Sequence, residues 1–373
     1  RSTSELLGKV MAIDYFGSLV ASLVFPLVLL PQLGLMRGAY LVGALNVLVA
    51  VLVLLQVRTP RKILWAATAA VVALVGMFAA ANRIERSVEA LTYNDPVVYY
   101  QQTAYQKVVL TDYQDDLRMY LNGQLQFSSL DEARYHETLS ASAMTSVKDP
   151  AHVLVLGGGD GLLAREILRY PSVKDVTIVD IDPGVTELAR SNRLLKDLNK
   201  ASLSDSRVNV VNDDAFTYVR DSRATYDVVL VDLVDPSNEK LAKLYSTEFY
   251  RNVEARLAPE GVMVTQATST FFSPHAFSTV ASTVATSQPD RQILPFSTNI
   301  PSFGEWGFVL STRTPQNLIS QPLPEGLTYQ DRETLEFIMR TKPARTETME
   351  PSTLLHPRIV EVYNRDMRQW RYY

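Results

Sequence analysis

The stretch from residue 152 to residue 161 constrains the fold more than any other part of the chain. It begins with His152 and four aliphatic residues, passes through Gly157-Gly158-Gly159-Asp160-Gly161 and continues into a helical pattern from Leu162 to Arg169. β-Branched and aliphatic residues favour a buried strand. Glycines allow a tight turn and a close approach of the backbone to a ligand. The pattern therefore predicts a strand, a glycine turn and a helix at a ligand-binding edge.

Asp160 within this turn narrows the class of ligand. Glycine turns that lead into a helix occur in many nucleotide-binding folds, where the free N–H groups of the helix N-terminus attract an electron-rich group. A carboxylate in the turn would repel a phosphate. Asp160 therefore favours a cationic ligand, or a nucleoside that carries an amine, over a pyrophosphate.

Three more predicted strands follow the glycine turn, and each ends in acidic residues. Val176–Val179 precedes Asp180-Ile181-Asp182, Val208–Val211 precedes Asn212-Asp213-Asp214, and Tyr226–Val231 precedes Asp232 and Asp235. Strands that alternate with helices predict an α/β fold with a parallel doubly wound sheet, whose ligands bind beyond the carboxyl ends of the strands. A single acidic strand end can be a helix cap, but four in succession favour a binding site. Asp180 follows the turn by about 20 residues, where a ribose is usually held.

The N-terminal part of the chain is far more apolar than the rest. Val10–Leu30 carries only the charge of Asp14, and Ala39–Val57 and Ile63–Ala80 carry none. Each segment has about the length that a helix needs to cross ~30 Å of hydrocarbon. The alternative is a set of buried helices in a soluble core, but three such segments would leave no polar face for water. We expect a bundle of about three transmembrane α-helices.

The orientation of these helices stays open. The charges in the second connection, Arg58, Arg61 and Lys62, favour a cytoplasmic connection and an external soluble part. Arg37, Arg83 and Arg86 favour the opposite orientation. Because the chain opens on Arg1 rather than Met, we also expect that N-terminal helices could be missing.

Composition excludes several classes of site. The chain has no cysteine, which excludes disulfides and thiolate metal sites, and its 4 histidines are scattered, which disfavours a histidine metal site. The net charge is −4 and no basic run occurs, so we expect no nucleic-acid partner.

The remaining segments predict the outer parts of the soluble region. Residues 99–127 read as strands, with Asn122-Gly123 as a hairpin turn. A helix begins near Asp131, and we expect most of its polar residues to form a solvated face. Gly261–Gln266 and Glu305–Ser311 are later strands, and the charged tail from Pro322 is expected to be peripheral.

These motifs, taken in order over about residues 99–312, resemble the spermidine synthases, the polyamine aminopropyltransferases. The motifs are Tyr105-Gln106, Leu121-Asn122-Gly123-Gln124-Leu125-Gln126, Asp131-Glu132, Tyr135-His136-Glu137, the glycine turn, Asp180-Ile181-Asp182, Asp213-Asp214-Ala215 and Asp232-Leu233-Val234-Asp235-Pro236. The resemblance implies a Rossmann-like domain of the class I methyltransferase type behind a small N-terminal β-domain, often in a homodimer. The apolar segments resemble the bacterial multi-pass branch, which implies the inner membrane, contact with lipid and a cytoplasmic catalytic domain.

The expected domain organisation combines these observations. Residues 1–82 would form the transmembrane helices and residues 83–130 the linker and small β-domain. Residues 131–321 would form the Rossmann-like aminopropyltransferase domain, and residues 322–373 the C-terminal tail.

The resemblance also implies a role for each matching residue. On the donor side, residues would hold decarboxylated S-adenosylmethionine: Gln106 and Asp160 at the aminopropyl end, with His136 nearby, Gly157 and Gly159 in the turn, Asp180 at the ribose, and Asp213, Asp214 and Ala215 at the adenine. On the acceptor side, Tyr135 and Asp235 would deprotonate and orient the amine, with His136 and Asp232 in support. Gln266, Phe303 and Glu305 would line the acceptor position.

Two departures from the family leave the acceptor open. Ser237–Lys243 stands where soluble members continue into a Gly-Pro gate, and Phe303 stands at a tyrosine position. Phenylalanine offers no hydroxyl to an amine. These departures favour spermidine, a longer diamine or another amine over putrescine, although putrescine stays a candidate acceptor.

The chemistry itself also leaves alternatives. The reaction is one displacement at a sulfonium, with no metal and no permanently bound cofactor. Asp160 suits an ammonium and disfavours a nearby carboxylate, which favours the decarboxylated donor over S-adenosylmethionine. An S-adenosylmethionine-dependent amine methyltransferase remains an alternative, as does a membrane polyamine sensor or transporter with a degenerate enzyme domain.

Overall fold

A computed structural model of the chain describes residues 3–57, 60–90, 92–314 and 318–370. The chain forms two compact units, Arg1–Ala104 and Tyr105–Tyr373. Two residues named in the sequence analysis lie outside the described residues. They are Arg1, at the start of the chain, and Arg58, in the connection between the second and third apolar segments.

The first unit is mainly helical. It contains α1 (Thr3–Val24), a π-helical turn (Phe25–Leu29), α2 (Leu30–Gln56), α3 (Arg61–Ala90) and the strand β1 (Val97–Gln102). Three helical stretches of the described chain are long and apolar enough to cross a membrane: Gly8–Leu29, Met36–Gln56 and Arg61–Ala81. Their large apolar side chains are exposed, as for Ile13 and Trp65. These helices therefore do not form the buried soluble core that was the alternative.

The second unit begins with a small antiparallel sheet. Its strands are β2 (Lys107–Tyr113), β3 (Asp116–Leu121) and β4 (Gln124–Ser128). Asn122 and Gly123 connect β3 and β4 with φ of 51° and 83°. Two consecutive positive φ values are those of a type I′ turn, so the predicted hairpin is confirmed.

A seven-stranded mixed sheet forms the centre of the second unit. Its strands are β5 (His152–Gly157), β6 (Asp175–Val179), β7 (Val208–Val211), β8 (Tyr226–Asp232), β9 (Leu257–Ser269), β10 (Gln292–Ile300) and β11 (Gly304–Thr312). The strand order is β10-β11-β9-β8-β5-β6-β7. Strands β5 to β9 run parallel, and β10 and β11 are antiparallel. The chain order reverses between β5 and β8, which is the switch point where ligands bind in such sheets.

Ten helices of the second unit's described residues accompany the sheets. They are α4 (Glu132–Met144), α5 (Leu162–Ile167), α6 (Pro183–Ser191), α7 (Arg193–Leu198), α8 (Ala215–Asp221), α9 (Glu239–Ala242), α10 (Thr247–Glu254), α11 (Pro274–Ser287), α12 (Arg332–Arg340) and α13 (Arg358–Arg368).

The expected solvated face of α4 is wrong. Glu132, His136 and Glu137 are all buried. Their charges are satisfied inside the protein, since Glu132 pairs with Arg165 and His136. Glu137 accepts hydrogen bonds from the backbone N–H groups of residues 328, 329 and 330. Buried charges are tolerated when they are paired and hydrogen-bonded in this way.

The expected peripheral position of the C-terminal tail is also wrong for α13. Ile359, Val362 and Tyr363 are buried in the hydrophobic core. Their spacing places them on one face of the helix. Asp366 on the same helix accepts hydrogen bonds from the backbone N–H groups of His275 and Ala276, at the start of α11. The tail therefore forms part of the second unit's core.

Candidate active site

The glycine turn lies against the ends of β6 and β8. Gly157 is opposite Asp232 in the sheet, with φ of 90°, and a Cβ atom there would overlap the carbonyl oxygen of Asp232. A Cβ atom on Gly159 would overlap the carboxylate of Asp180. The N–H of Gly159 instead donates to Asp180 Oδ2 at 3.0 Å. Only glycine fits these two positions, and this brings the turn to the carboxylates.

Three aspartates from three strand ends meet at the switch point, and a fourth, Asp235, follows three residues after the end of β8, where its charge and that of Asp232 both act on Tyr135. We call these four aspartates the acidic site. They are Asp160 after β5, Asp180 after β6, Asp232 at the end of β8, and Asp235. Asp160 is close enough to raise the pKa of both Asp180 and Asp232 through charge repulsion. Of the four acidic strand ends that the sequence predicted to share one site, the structure thus brings together those of β5, β6 and β8.

Burial dominates the electrostatics of the acidic site. It raises the pKa of Asp180 to about 6, against the hydrogen bonds from the N–H groups of Asp182 and Gly159. Burial also raises the pKa of Asp232 to about 6. The charge of His136 acts against this rise, and the charge of Asp160 adds to it. Burial also raises the pKa of Asp160, opposed by His136 and the N–H of Leu162. A cationic ligand would stabilise the ionised form of each group.

His136 supplies a positive charge beside the acidic site. Its Nδ1 donates to Glu132 Oε2 at 2.8 Å, and Arg165 pairs with the same carboxylate. Burial lowers the pKa of His136, but the hydrogen bond and charge of Glu132, with Asp160 and Asp232, outweigh it and raise the pKa to about 9. His136 is therefore protonated at neutral pH. Sequence reasoning missed Glu132, although its spacing of four residues from His136 on one helix is a usable signal.

Tyr135 joins α4 to the acidic site. Its hydroxyl donates to Asp232 Oδ1 at 2.6 Å. Burial, with Asp232, keeps the pKa of Tyr135 well above its usual value, so the group is a neutral phenol. The ring of Phe303 lies edge-on to the ring of Tyr135, with centroids 6.4 Å apart. Tyr135 and Phe303, both predicted on the acceptor side, are therefore neighbours in the structure.

Asp235 has one hydrogen-bonded oxygen and one without a partner. Oδ2 accepts a hydrogen bond from the hydroxyl of Tyr363 at 2.9 Å. Oδ1 is buried and has no hydrogen-bond partner among the described residues. Burial raises the pKa of Asp235 to about 6, while the hydrogen bond from Tyr363 and the nearby amide of Gln266 lower it. An unpartnered carboxylate oxygen in a buried position is suited to accept a proton or bind a cation.

Gln266 supports the end of β8 through protein contacts. Its Nε2 donates to the carbonyl of Leu233 and to the hydroxyl of Tyr245, both at 2.5 Å, and its Oε1 accepts from the N–H of Thr268 at 2.9 Å. Both amide protons therefore already have acceptors, which leaves Asp235 Oδ1 unpartnered. Tyr245 also donates to the carbonyl of Val234 at 2.8 Å. Sequence reasoning missed the roles of Tyr245 and Tyr363 at this strand end.

The predicted adenine residues lie after β7. Asp214 caps α8 by accepting from the N–H of Thr217 at 3.1 Å, and its Oδ2 pairs with Lys243 Nζ at 2.5 Å. Ala215 is buried as the first residue of α8, whereas Asp213 is exposed. The carboxylate of Asp214 is thus occupied by a helix cap and an ion pair.

The two remaining predicted residues, Gln106 and Glu305, lie in different parts of the second unit and bond to other side chains of the protein. Gln106 Nε2 donates to Asp182 Oδ2 at 3.0 Å, two residues after Asp180 of the acidic site. Glu305 lies on β11, where its Oε1 accepts from the hydroxyl of Ser297 at 2.6 Å. No group of three or more His, Asp or Glu side chains in the described part of the chain could hold a metal ion.

Comparison with known proteins adds independent findings. Residues 132–321 match the family model described as the spermine/spermidine synthase domain. The chain is 38% identical over 367 residues to the polyamine aminopropyltransferase of Oceanobacillus iheyensis, covering 96% of this chain and 71% of that protein. It is 41% identical over 378 residues to the polyamine aminopropyltransferase of Mycobacterium tuberculosis, covering 97% of this chain and 70% of that protein.

Solved structures show the same fold. A spermidine synthase in complex with the transition-state analogue AdoDATO superposes with a TM-score of 0.61 at 24% identity, over 66% of this chain and 85% of that one. The spermidine synthase of Thermotoga maritima superposes with a TM-score of 0.59 at 23% identity, over 66% of this chain and 84% of that one.

Proposed function

Because the chain belongs to the spermine/spermidine synthase family and is a transferase of the polyamine aminopropyltransferase type, we propose that it uses decarboxylated S-adenosylmethionine as the donor. The acceptor is an amine, putrescine or a longer polyamine. The products are spermidine or a related polyamine and 5′-methylthioadenosine. The observation that carries this proposal is the buried, unpartnered Oδ1 of Asp235, whose carboxylate lies near Tyr135, the hydrogen-bond partner of Asp232.

The donor would lie along the ends of β5, β6 and β7. Asp180 would accept hydrogen bonds from the ribose hydroxyls, and Asp160 with Gln106 would hold the ammonium of the aminopropyl group. Gly157 and Gly159 hold the turn against Asp232 and Asp180, because a Cβ atom at either position would overlap those residues. Asp213, Asp214 and Ala215 would border the adenine. The raised pKa of Asp160 supports a cationic ligand, since a nearby positive charge favours the ionised carboxylate.

The acceptor amine would lie between Asp235 and the sulfonium. A free alkylamine has a lysine-like pKa of about 10.4, so presenting it in neutral form at pH 7 costs on the order of 4–5 kcal/mol. Asp235 Oδ1 takes the proton that the amine loses. The amine nitrogen forms a bond to the aminopropyl carbon, the bond from that carbon to sulfur breaks, and the electron pair leaves with the neutral thioether. Holding the two reactants in line supplies further acceleration.

Asp232, Tyr135 and His136 would position the reacting groups. The neutral hydroxyl of Tyr135 is committed to Asp232. It therefore orients that carboxylate toward the cationic reactants. His136 balances part of the negative charge of the acidic site, which keeps several buried carboxylates ionised at once.

The proposal extends to the N-terminal helices and to assembly. The three long apolar helices with exposed side chains would anchor the chain in the bacterial inner membrane, with the second unit in the cytoplasm. The enzyme would act as a homodimer.

The side of the membrane can be tested by labelling. Since the chain has no cysteine, a Lys196→Cys variant carries one exposed thiol. A membrane-impermeant maleimide should label it only after the cells are permeabilised, and labelling of intact spheroplasts would contradict the cytoplasmic side.

The activity is tested by product mass. Purified full-length protein is incubated with decarboxylated S-adenosylmethionine and, separately, S-adenosylmethionine, each with putrescine, spermidine and longer diamines. The proposal predicts an acceptor that gains an aminopropyl group. A methylated acceptor would support a methyltransferase instead. Polyamine flux in vesicles that persists in Asp235→Ala would support a transporter.

A further inference from the structure

We propose that Tyr363, on the C-terminal helix α13, is a positioning residue for Asp235. It holds one carboxylate oxygen of Asp235 so that the other faces the acceptor amine. This inference rests on the proposed function, in which Asp235 is the general base.

The contact fixes which oxygen is available. The Tyr363 hydroxyl donates to Asp235 Oδ2 at 2.9 Å, and Oδ1 is buried without a partner among the described residues. A carboxylate beyond the end of a strand can otherwise rotate and exchange its two oxygens. One strong hydrogen bond to Oδ2 leaves Oδ1 as the proton acceptor.

Tyr363 is itself held in place by the core. Its side chain is 5% exposed and packs in the hydrophobic core. One helical turn later, Asp366 accepts from the N–H groups of His275 and Ala276 and pairs with His275 Nδ1 at 2.8 Å. These bonds fix α13 to the start of α11. The phenol is therefore delivered to Asp235 from a rigid element.

The same helix also contacts the segment after Asp235. Asn364 Nδ2, next to Tyr363, donates to the carbonyl of Ser237 at 3.2 Å. Ser237 lies two residues after Asp235 and opens the segment that leads into α9. Two successive residues of α13 thus hold Asp235 and the chain that follows it.

The groups around Asp235 define the expected pH effect. Four side chains face Asp235 or interact with its charge: Tyr363 on α13, Gln266 on β9, Tyr245 before α10 and Tyr135 on α4. Burial, with Asp235, raises the pKa of Tyr363 far above its usual value, so it remains a donor at any working pH. In return, the hydrogen bond from Tyr363 lowers the pKa of Asp235 against the effect of burial. Loss of this bond should raise the pKa of the base.

The test is the variant Tyr363→Phe, which removes only the hydroxyl. We expect kcat to fall about tenfold, the size of one hydrogen bond to a charged group. The acidic limb of the kcat/KM profile should move to higher pH by about one unit. The donor KM should not change, because Tyr363 contacts only the acceptor side.

A matched control is Tyr226→Phe. Tyr226 is also buried, and its hydroxyl bonds to the hydroxyl of Tyr218 at 2.8 Å, but it lies at the opposite end of β8 from Asp235. This variant should keep the wild-type rate and pH profile. A fall in kcat for Tyr363→Phe with an unmoved acidic limb would indicate only a packing role and overturn the inference.

The failure of this inference is distinguishable from that of the proposed function. If wild-type protein transfers an aminopropyl group and Tyr363→Phe equals it in kcat and pH profile, this inference alone is wrong. If wild-type protein transfers no aminopropyl group to any amine, the proposed function is wrong and the inference falls with it.

Discussion

The two halves of the acidic site are built differently. The proposed donor half consists of Asp160 and Asp180, which follow two adjacent parallel strands. Each accepts a hydrogen bond from a backbone N–H two residues later, and Asp180 also accepts one from Gly159 in the neighbouring turn. The acceptor half consists of Asp235 and the side chains around it, and it depends on Tyr363, a residue 128 positions further along the chain. The proposed donor half is therefore held mainly by short turns at two neighbouring strand ends, whereas the proposed acceptor half depends on a helix that is distant in the chain.

The largest effect should come from the acceptor half. Asp235→Asn keeps the shape of the side chain but removes the base, so we expect turnover to fall by about 10²–10⁴-fold, the usual contribution of general-base catalysis. Calorimetry should show a nearly unchanged donor Kd, since the donor half is intact. A variant that retains the wild-type turnover would remove Asp235 from the mechanism.

Asp180→Ala should have the opposite effect to Asp235→Asn, weakening donor binding more than it lowers turnover. We expect donor Kd to weaken by about 10–100-fold, as for the loss of a charged partner of the ribose hydroxyls, with a smaller effect on kcat at saturating donor. Asp175→Ala is the control, because Asp175 lies at the other end of β6 and pairs with His152. Normal donor binding by Asp180→Ala would contradict the ribose assignment.

The pH dependence probes both halves together. The base must be ionised to accept a proton, and burial raises the pKa of Asp235 to about 6. We expect kcat/KM to fall tenfold per pH unit below about pH 6, and to be flat just above it. The measurement is a pH–rate profile with the donor and acceptor well below their KM values. A profile flat down to pH 4.5 would mean that no buried carboxylate limits the reaction.

The smallest effect should come from the ion pair between Lys243, in the segment after Asp235, and Asp214, which we propose borders the adenine. Lys243 is partly exposed and pairs with Asp214, so the pair stabilises the fold little. Its positive charge opposes a cationic donor and occupies the Asp214 carboxylate. Lys243→Met should therefore tighten donor Kd by no more than about fivefold.

The control for that effect is Lys240→Met, on the same segment but exposed. It should leave donor Kd unchanged. Weaker donor binding by Lys243→Met than by this control would show that Lys243 itself contacts the donor.

The sequence predicted the parts of the fold whose signals are local. The strand, glycine turn and helix around Gly157 follow from residue type, and the meeting of three acidic strand ends follows from the parallel direction of their strands. The hairpin at Asn122 and Gly123 follows from their tolerance of positive φ. The strand, the turns and the helix are each decided by residues close in the chain, and the meeting of the strand ends follows from strand direction alone.

The sequence did not predict features that depend on tertiary contacts. β10 lacks a regular apolar alternation and contains Pro295, which is compatible with its position at the edge of the sheet. The charges of α4 are buried only because Arg165 and the loop after residue 327 satisfy them. Tyr363 lies in a polar helix, and no local pattern marks its hydroxyl as a partner of Asp235.

Donor selectivity tests the central claim most directly. Isothermal titration of the protein with S-adenosylmethionine and its decarboxylated form compares two ligands that differ in one carboxylate. If the four aspartates of the acidic site receive a cationic nucleoside, the decarboxylated ligand binds more tightly, and Asp160→Asn reduces that preference. Equal or tighter binding of S-adenosylmethionine by the wild-type protein would contradict the account.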